Sequence, residues 1–207
     1  MVKKSVILLQ LIAFISLSFS SLMAQSDIGW RGKDRSGLYP ETGLLKTWPD
    51  SGPSLLWETE EVGSGFSSVT VTTDAVYITG KKGDNDVLTA FNQSGKKLWE
   101  VPYGKASDSN YPDSRSTATY ANGKLFVVSG EGDMVCISTS GKIIWSVNYF
   151  KNYGASAPRF GISESPLVTG NLVIGTPGGS KASVVAFDVN TGKVEWETPS
   201  LNEGTQY

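Results

Sequence analysis

The chain has 207 residues, a formal net charge of −2, no histidine and one cysteine, Cys136. Within this chain, these counts exclude catalytic triads that need His, His-ligated metal sites, internal disulfides and cysteine-based zinc sites. There is no excess of Lys and Arg that would indicate nucleic-acid binding. The 23 glycines and 8 tyrosines favour turns and strands over a helical bundle.

Residues 1–24 have the pattern of a signal peptide. Lys3 and Lys4 precede an apolar core from Val6 to Phe19, and Ala24 is the small residue expected at a cleavage site. The core is shorter than the roughly 20 residues that a membrane-spanning helix needs, so a cleaved signal is favoured over a retained anchor. No Cys follows the core for lipid attachment. We expect a periplasmic or extracellular protein that does not span the membrane after cleavage.

The next segment, residues 25–54, is predicted to be an irregular lead-in strap. It carries Trp30, Arg31, Arg35 and Trp48. We expect this lead-in to lie across the body of the protein.

The remainder of the chain, residues 55–207, contains a repeat that ends in Trp. The repeats cover about 60–101, 112–148 and 160–198, and each reads as strand, turn, strand, loop, strand, turn, strand. A period in the forties with strand content is typical of propeller blades. The Trp residues that close these runs are Trp57, Trp99, Trp145 and Trp196.

The last turn of each repeat has a recognisable chemistry. A short polar side chain begins it and a Gly ends it, as with Asp188 and Gly192 in the third repeat. An isolated four-stranded sheet cannot cover both of its faces, so the Trp that follows is predicted to pack between neighbouring sheets. We therefore interpret Asp188, Gly192 and the four Trp residues as structural docking positions and assign them no catalytic role.

These residues resemble the PQQ-repeat, or quinoprotein-like, β-propeller family. "AFDVNTGKVEW", residues 186–196, matches the family's A-x-D-x-x-T-G-x-x-x-W docking motif in full. Residues 89–99 and 135–145 are copies of this motif that are one residue shorter and have Ser in place of Thr. Three further segments are similar to exported bacterial propellers of this kind: residues 30–58, 115–120 and 163–168. The resemblance covers essentially the whole chain after the predicted signal.

The resemblance implies an all-β, eight-bladed propeller with four-stranded antiparallel blades. At about 45 residues per blade, such a ring needs a chain near 400 residues. This chain holds about three blades, with one lone closing strand at Trp57. We therefore expect an N-terminal fragment whose remaining blades are missing. If this fragment exists alone, we expect it to self-associate or to dissolve poorly, because open sheet edges expose unpaired backbone groups.

In a propeller the first strand of each blade faces the central channel. The repeat alignment predicts Ser67, Arg115, Ser116 and Glu164 as channel-facing residues. They indicate either a site for a polar ligand or protein partner, or a solvated channel with a structural ion pair, which is the commoner case. We identify no catalytic residue and no metal site: "KKGDNDV" lacks the calcium-loop spacing, and "TPGGSKAS" lacks that of a phosphate-binding loop.

Three functions remain open at this stage. The favoured one is a non-catalytic binding or scaffolding module, with no cofactor. The second is a PQQ-dependent alcohol dehydrogenase, in which the resemblance implies a quinone beside an adjacent pair of disulfide-bonded cysteines and a calcium held by Glu, Asn and Asp. Cys136 has no such neighbour. The third is the propeller of outer-membrane protein assembly, whose family member carries a lipidated Cys that "SLMAQS" lacks.

Overall fold

The structure, a computed structural model, describes residues 28–32, 35–108 and 113–205. The predicted signal peptide, residues 1–24, lies outside the described residues. The strands are β1 (Thr70–Val71), β2 (Val76–Lys82), β3 (Asn85–Phe91), β4 (Lys97–Lys105), β5 (Thr119–Ala121), β6 (Lys124–Val128), β7 (Asp133–Ser138), β8 (Ile143–Asn148), β9 (Leu167–Thr169), β10 (Leu172–Gly175), β11 (Val185–Asp188) and β12 (Val194–Glu197).

The strands form three four-stranded antiparallel sheets, in the orders β1-β2-β3-β4, β5-β6-β7-β8 and β9-β10-β11-β12. We call them blade 1, blade 2 and blade 3. Within each blade, strands that are neighbours in sequence are neighbours in the sheet, so tight turns are sufficient to connect most of them. The prediction of an all-β chain built from four-stranded antiparallel blades is confirmed.

Blade 2 lies in the middle and is apolar on both faces. Along β6, Leu125 belongs to the core shared with blade 1, whereas Phe126 belongs to the core shared with blade 3. Along β7 the same alternation separates Val135 from Met134. Successive side chains of a strand point to opposite faces, so a near-continuous apolar run predicts a sheet that is covered on both sides.

Blade 3 has one face that the described residues do not cover, whereas blade 1 is buried on both faces along β3, where Trp57 packs on Phe91. On blade 3, Val194 and Trp196 keep 47% and 41% of their surface exposed, which is high for apolar side chains on a sheet. The lone closing strand predicted around Trp57 forms no regular secondary structure. No described strand lies beside it to complete a hydrogen-bonded ladder.

A short helix that the sequence did not indicate connects blade 2 to blade 3. This helix, α1, spans Tyr149–Tyr153 and buries both of those tyrosines. Asn148 caps its start by accepting from the Lys151 amide, and Gly154 ends it in the left-handed region at φ 65°. No helix in the described ranges is both long enough and apolar enough to cross a membrane.

Hydroxyl groups join the first strands of neighbouring blades. The Thr70 Oγ1 donates to the Ala118 carbonyl at 2.5 Å, and the Thr119 Oγ1 donates to the Pro166 carbonyl at 2.7 Å. Two residues earlier in each repeat the hydroxyl accepts instead: the Ser68 amide donates to the Thr117 Oγ1 at 3.0 Å, and the Thr117 amide donates to the Ser165 Oγ at 3.1 Å. These bonds lie at equivalent positions of successive repeats, so they form one polar seam along the inner edge of the blades.

Replacing Thr70 with Val should lower the free energy of unfolding by about 1–2 kcal/mol, because the buried Ala118 carbonyl loses its donor while side-chain shape is kept. Denaturant unfolding followed by fluorescence measures the change. Thr169→Val, at an exposed strand position, is the matched control and should change stability by less than about 0.5 kcal/mol. Equal effects of the two substitutions would contradict a stabilising seam.

Candidate functional site

A cleft of about 540 Å³ lies where the first strands of the three blades begin. Phe66 and Ser68 precede β1, Arg115 and Thr117 precede β5, and Glu164 precedes β9. We call it the inner-strand cleft. Its volume is in the range of small-molecule sites, which commonly hold a few polar groups between apolar walls.

The lead-in supplies one wall of this cleft, through Trp30 and Arg35. Ile28 forms a two-bond antiparallel bridge with Tyr120 of β5, at 2.8 and 2.7 Å. The Arg35 Nη2 donates to the carbonyls of Ser165 and Pro166 at 2.7 and 2.6 Å. Residues 36–51 are exposed throughout, so only the beginning of the predicted strap contacts blades 2 and 3 in this way.

Glu164 is the acidic group of the cleft. Its Oε1 accepts from the Thr176 amide at 2.8 Å, and its Oε2 accepts from the Tyr149 hydroxyl at 3.4 Å. Burial raises the pKa of the Glu164 carboxyl above its ordinary value, and the positive charge of Arg35 acts in the opposite direction. Burial likewise lowers the pKa of Arg35, which the charge of Glu164 counteracts. The charge of each group therefore offsets part of the cost of burying the charge of the other.

Arg115 is held at the junction of blades 1 and 2. Its Nη1 donates to the Asp113 carbonyl at 2.9 Å, and its guanidinium lies over the Phe66 ring, 5.4 Å from the centroid. Behind it, Asp86 is 1% exposed and accepts from the Gly130 amide at 2.7 Å. Burial raises the pKa of Asp86 to about 6, although the charge of Arg115 is among the influences that lower it.

Two of the four predicted channel-facing residues line the cleft and two do not. Arg115 and Glu164 line it, whereas Ser116 is fully buried and donates to the Glu164 carbonyl at 2.7 Å. The Ser67 Oγ donates to the Thr79 carbonyl at 3.2 Å. Because side chains alternate along extended backbone, the adjacent Ser68 and Thr117 face the cleft instead. The residues that line the cleft are therefore offset by one position from the predicted Ser67 and Ser116.

Three of the four Trp residues predicted as docking positions pack on the last turn of the blade that follows them in sequence. The indole N–H groups of Trp57, Trp99 and Trp145 donate to the carbonyls of Gln93, Thr139 and Val189, at 3.1, 2.9 and 3.2 Å. Each indole also covers the Gly that ends the last turn of the next unit. Those glycines have positive φ and would place a Cβ 2.6, 2.8 and 2.6 Å from the indole; they are Gly95, Gly141 and Gly192.

The Asp188 side chain closes the last turn of blade 3. Its Oδ1 accepts from the amides of Asn190 and Thr191 at 3.1 and 2.9 Å and from the Thr191 hydroxyl at 2.8 Å. The Thr191 hydroxyl is the main cause of a lowered Asp188 pKa. Trp196, the fourth docking position, remains 41% exposed, with no Gly turn of a further unit against it in the described residues.

The described residues do not fit the quinone and calcium arrangement that the family resemblance implies. Among them there is no group of three or more acidic, His or Cys side chains placed to hold a metal ion. Cys136 is fully buried in the core between blades 2 and 3, and its Sγ faces the Val189 carbonyl at 3.8 Å. Burial raises the pKa of that thiol to about 12, so it is an inert core residue.

Sequence reasoning missed the contribution of the lead-in to the cleft. Arg35 lies 130 and 131 residues from the two carbonyls that it binds, so no local pattern places it there. Asp86 was also missed, because its burial results from the packing of blade 1 on Gly130 of blade 2. The sequence feature that did indicate the site was the unusual pair of charged residues, Arg115 and Glu164, at positions that begin the inner strands.

Comparisons with known proteins agree with this architecture. A PQQ-repeat family model described as outer membrane protein assembly factor BamB matches residues 83–206. The dehydrogenase subunit of the quinone-type alcohol dehydrogenase from Komagataeibacter europaeus is 31% identical over 115 residues, 50% of this chain and 15% of that protein. The chain thus matches only a small part of this relative's length.

Two solved structures show the same fold. A europium-containing methanol dehydrogenase has a TM-score of 0.50 and 20% identity over 69% of this chain and 26% of that one. The quinohemoprotein alcohol dehydrogenase from Comamonas testosteroni has a TM-score of 0.50 and 19% identity over 67% of this chain and 21% of that one. With a family model that matches more than half of its residues and three repeated four-stranded blades, the chain belongs to the PQQ-repeat family described as outer membrane protein assembly factor BamB.

Proposed function

We propose that this chain is part of an exported, non-catalytic PQQ-repeat propeller that binds a small polar ligand or a protein partner at the inner-strand cleft. The observation that carries the proposal is the composition of this cleft: Arg35, Arg115 and Glu164 meet between exposed aromatic rings at the junction of three blades. Charged groups gathered in a concave site on a rigid scaffold are typical of a binding site.

The organisation of the chain follows the same proposal. Residues 1–24 direct export to the periplasm or the cell exterior, residues 25–54 form the lead-in, and further blades complete the ring beyond blade 3. The exposed Trp196 supports the last point, because its three counterparts each pack on a Gly turn of the following unit. A propeller of this kind suits a scaffolding role because its loops surround a rigid core.

The binding role is tested by screening small polar fragments against the full chain with two-dimensional NMR. We expect shifts at the amides of Ser68, Thr117 and Thr176, which surround the cleft. Glu164→Gln should change those shifts, because it removes the one acidic group of the lining, whereas the exposed control Glu203→Gln should not. Fragments that bind only elsewhere, or none that bind, would contradict the binding of a small ligand at the cleft and would leave only a protein partner.

A PQQ-dependent dehydrogenase is the second candidate, because matched relatives are named as quinone-type alcohol dehydrogenases. The buried Cys136 and the absence of a metal-holding cluster in the described part of the chain do not support it. Adding the quinone, calcium, ethanol and a redox dye to the purified chain separates the two candidates. Alcohol-dependent dye reduction would overturn the non-catalytic proposal.

A further inference from the structure

Two guanidinium groups from separate parts of the chain face the inner-strand cleft. Arg35 comes from the lead-in, and Arg115 directly precedes β5. Arg35 is anchored by two backbone carbonyls through Nη2, and Arg115 by the Asp113 carbonyl and the Phe66 ring. Anchored guanidinium groups lose little further side-chain entropy when they bind an anion, so the pair is preorganised.

The charge of the lining favours an anion. Besides the two arginines, Glu164 is the one acidic or basic residue of the lining, and burial raises the pKa of its carboxyl. Its two oxygens already accept from the Thr176 amide and the Tyr149 hydroxyl. The lining therefore has a net positive charge even when Glu164 is ionised, and a low-dielectric cleft strengthens its attraction for a negative group.

The walls beside the two cations are apolar and accessible. Trp30, Phe66 and Leu167 keep 45%, 67% and 41% of their surface exposed. The buried Ser163 Oγ has no hydrogen-bond partner among the described residues and belongs to the same lining. A buried polar atom without a hydrogen-bond partner is uncommon in native proteins. A ligand with an acidic group and an apolar body would match both parts of this surface.

The lead-in is attached to the blades by few contacts. Its start is held by the Ile28–Tyr120 bridge and by Arg35, while residues 36–51 are exposed. Arg31 and Arg35 have φ values of 69° and 52°, a left-handed conformation that is costly for residues with a Cβ. A contact that bridges Arg35 and Arg115 would therefore add substantially to the forces that keep the lead-in in place.

From these observations we infer that the inner-strand cleft binds an organic acid, with its carboxylate or phosphate between Arg35 and Arg115, and that this ligand fixes the lead-in against blades 2 and 3. The inference rests on the proposed binding role of the cleft and adds the class of ligand and its effect on the chain. Binding and lead-in docking are thermodynamically linked, because Arg35 takes part in both.

The test uses benzoate and phenyl phosphate as anionic probes, benzamide as the neutral analogue of benzoate, and acetate as the acid without a ring. Calorimetry or NMR titration of the full chain gives the affinities. We expect benzoate or phenyl phosphate to bind at least tenfold more tightly than benzamide and than acetate. The stronger of the two anionic probes identifies the acidic group. Hydrogen exchange should show slower exchange of the Ile28 amide with that probe and no change within β7.

Substitutions separate the two arginines from general charge effects. Arg35→Ala and Arg115→Ala should each weaken binding of the better probe about tenfold or more, because a charge-assisted hydrogen bond is lost. Arg159→Ala removes an exposed arginine outside the lining and should leave the affinity unchanged. If an alanine variant does not fold, two measurements still test whether the arginines bind the acidic group. They are the affinity of Arg35→Lys for the better probe and the comparison of benzoate with benzamide on the unaltered chain.

Equal affinity for benzoate, phenyl phosphate and benzamide would overturn the inference. Unchanged affinity in both arginine variants, or probe binding without slower exchange at Ile28, would do so as well. If polar fragments of any charge occupy the cleft equally, the inference fails and the proposed binding role stands. If no compound occupies the cleft, the inference and the binding of a small ligand there both fail.

Discussion

Replacing Trp145 with Ala is expected to lower the free energy of unfolding by about 3 kcal/mol or more, as for other large-to-small core substitutions. The indole packs between Phe126 and Phe187, with ring centroids 6.1 and 6.2 Å away, and its N–H donates to the Val189 carbonyl. The substitution therefore removes apolar contact between blades 2 and 3 and one hydrogen bond. Urea unfolding measures the loss.

Trp196→Ala is the matched control for that substitution. Trp196 occupies the same place in the repeat, but its side chain is partly exposed and no Gly turn covers it in the described residues. We expect a loss below about 1 kcal/mol, typical of a surface position. Similar losses at Trp145 and Trp196 would mean that the Trp residues do not derive their effect from docking on the next blade.

Replacing Gly141 with Ala is expected to cost about 3 kcal/mol. Gly141 has φ 83°, which alone costs roughly 1–2 kcal/mol for a residue with a Cβ. The new Cβ would also lie 2.8 Å from the Cδ2 of Trp99, so the indole or the turn must move, and overpacking adds to the cost.

Gly123→Ala separates these two contributions. Gly123 has φ 70° but nothing within 4 Å of the position of a Cβ, so it carries the conformational cost alone. We expect a loss of about 1 kcal/mol there. Unfolding midpoints at an unchanged denaturant slope give both values. A Gly141 variant as stable as the Gly123 variant would show that the indole does not occupy this space.

The periodic parts of the fold were predictable because each repeat carries its own turn and strand signals. The turn at Asp188 and Gly192 is local, since its hydrogen bonds join residues no more than five positions apart. The near-continuous apolar runs of β6 and β7 are likewise typical of a sheet that is covered on both faces. Helix α1 was not predictable, because Tyr149 and Tyr153 are stabilised by the core between blades and have no helical pattern of their own.

The candidate site was only partly predictable, for a related reason. Arg115 and Glu164 were identified because the repeat alignment places both among the residues that begin the first strands of neighbouring blades. The choice between Ser116 and Thr117 depended on which side of the extended backbone faces the cleft, and the alignment alone does not specify that. The contribution of Arg35 depends on contacts with carbonyls 130 and 131 residues away.

These results separate two roles of the repeat. The Trp and Gly positions build the contacts between blades, whereas the polar residues before β1, β5 and β9 line the cleft. The docking motif therefore accounts for architecture, and the proposed binding function depends on residues outside it. Substitutions of the two kinds should accordingly divide into those that change stability and those that change binding.

Exchange of the six Trp indole N–H protons, followed by NMR and assigned with single Trp→Phe variants, tests the repeat architecture most directly. Trp57, Trp99 and Trp145 donate to carbonyls of the next unit, so their indole protons should exchange measurably more slowly than those of Trp30, Trp48 and Trp196. Exchange at Trp99 and Trp145 as fast as at Trp196 would contradict the stacking of three repeated blades through Trp and Gly.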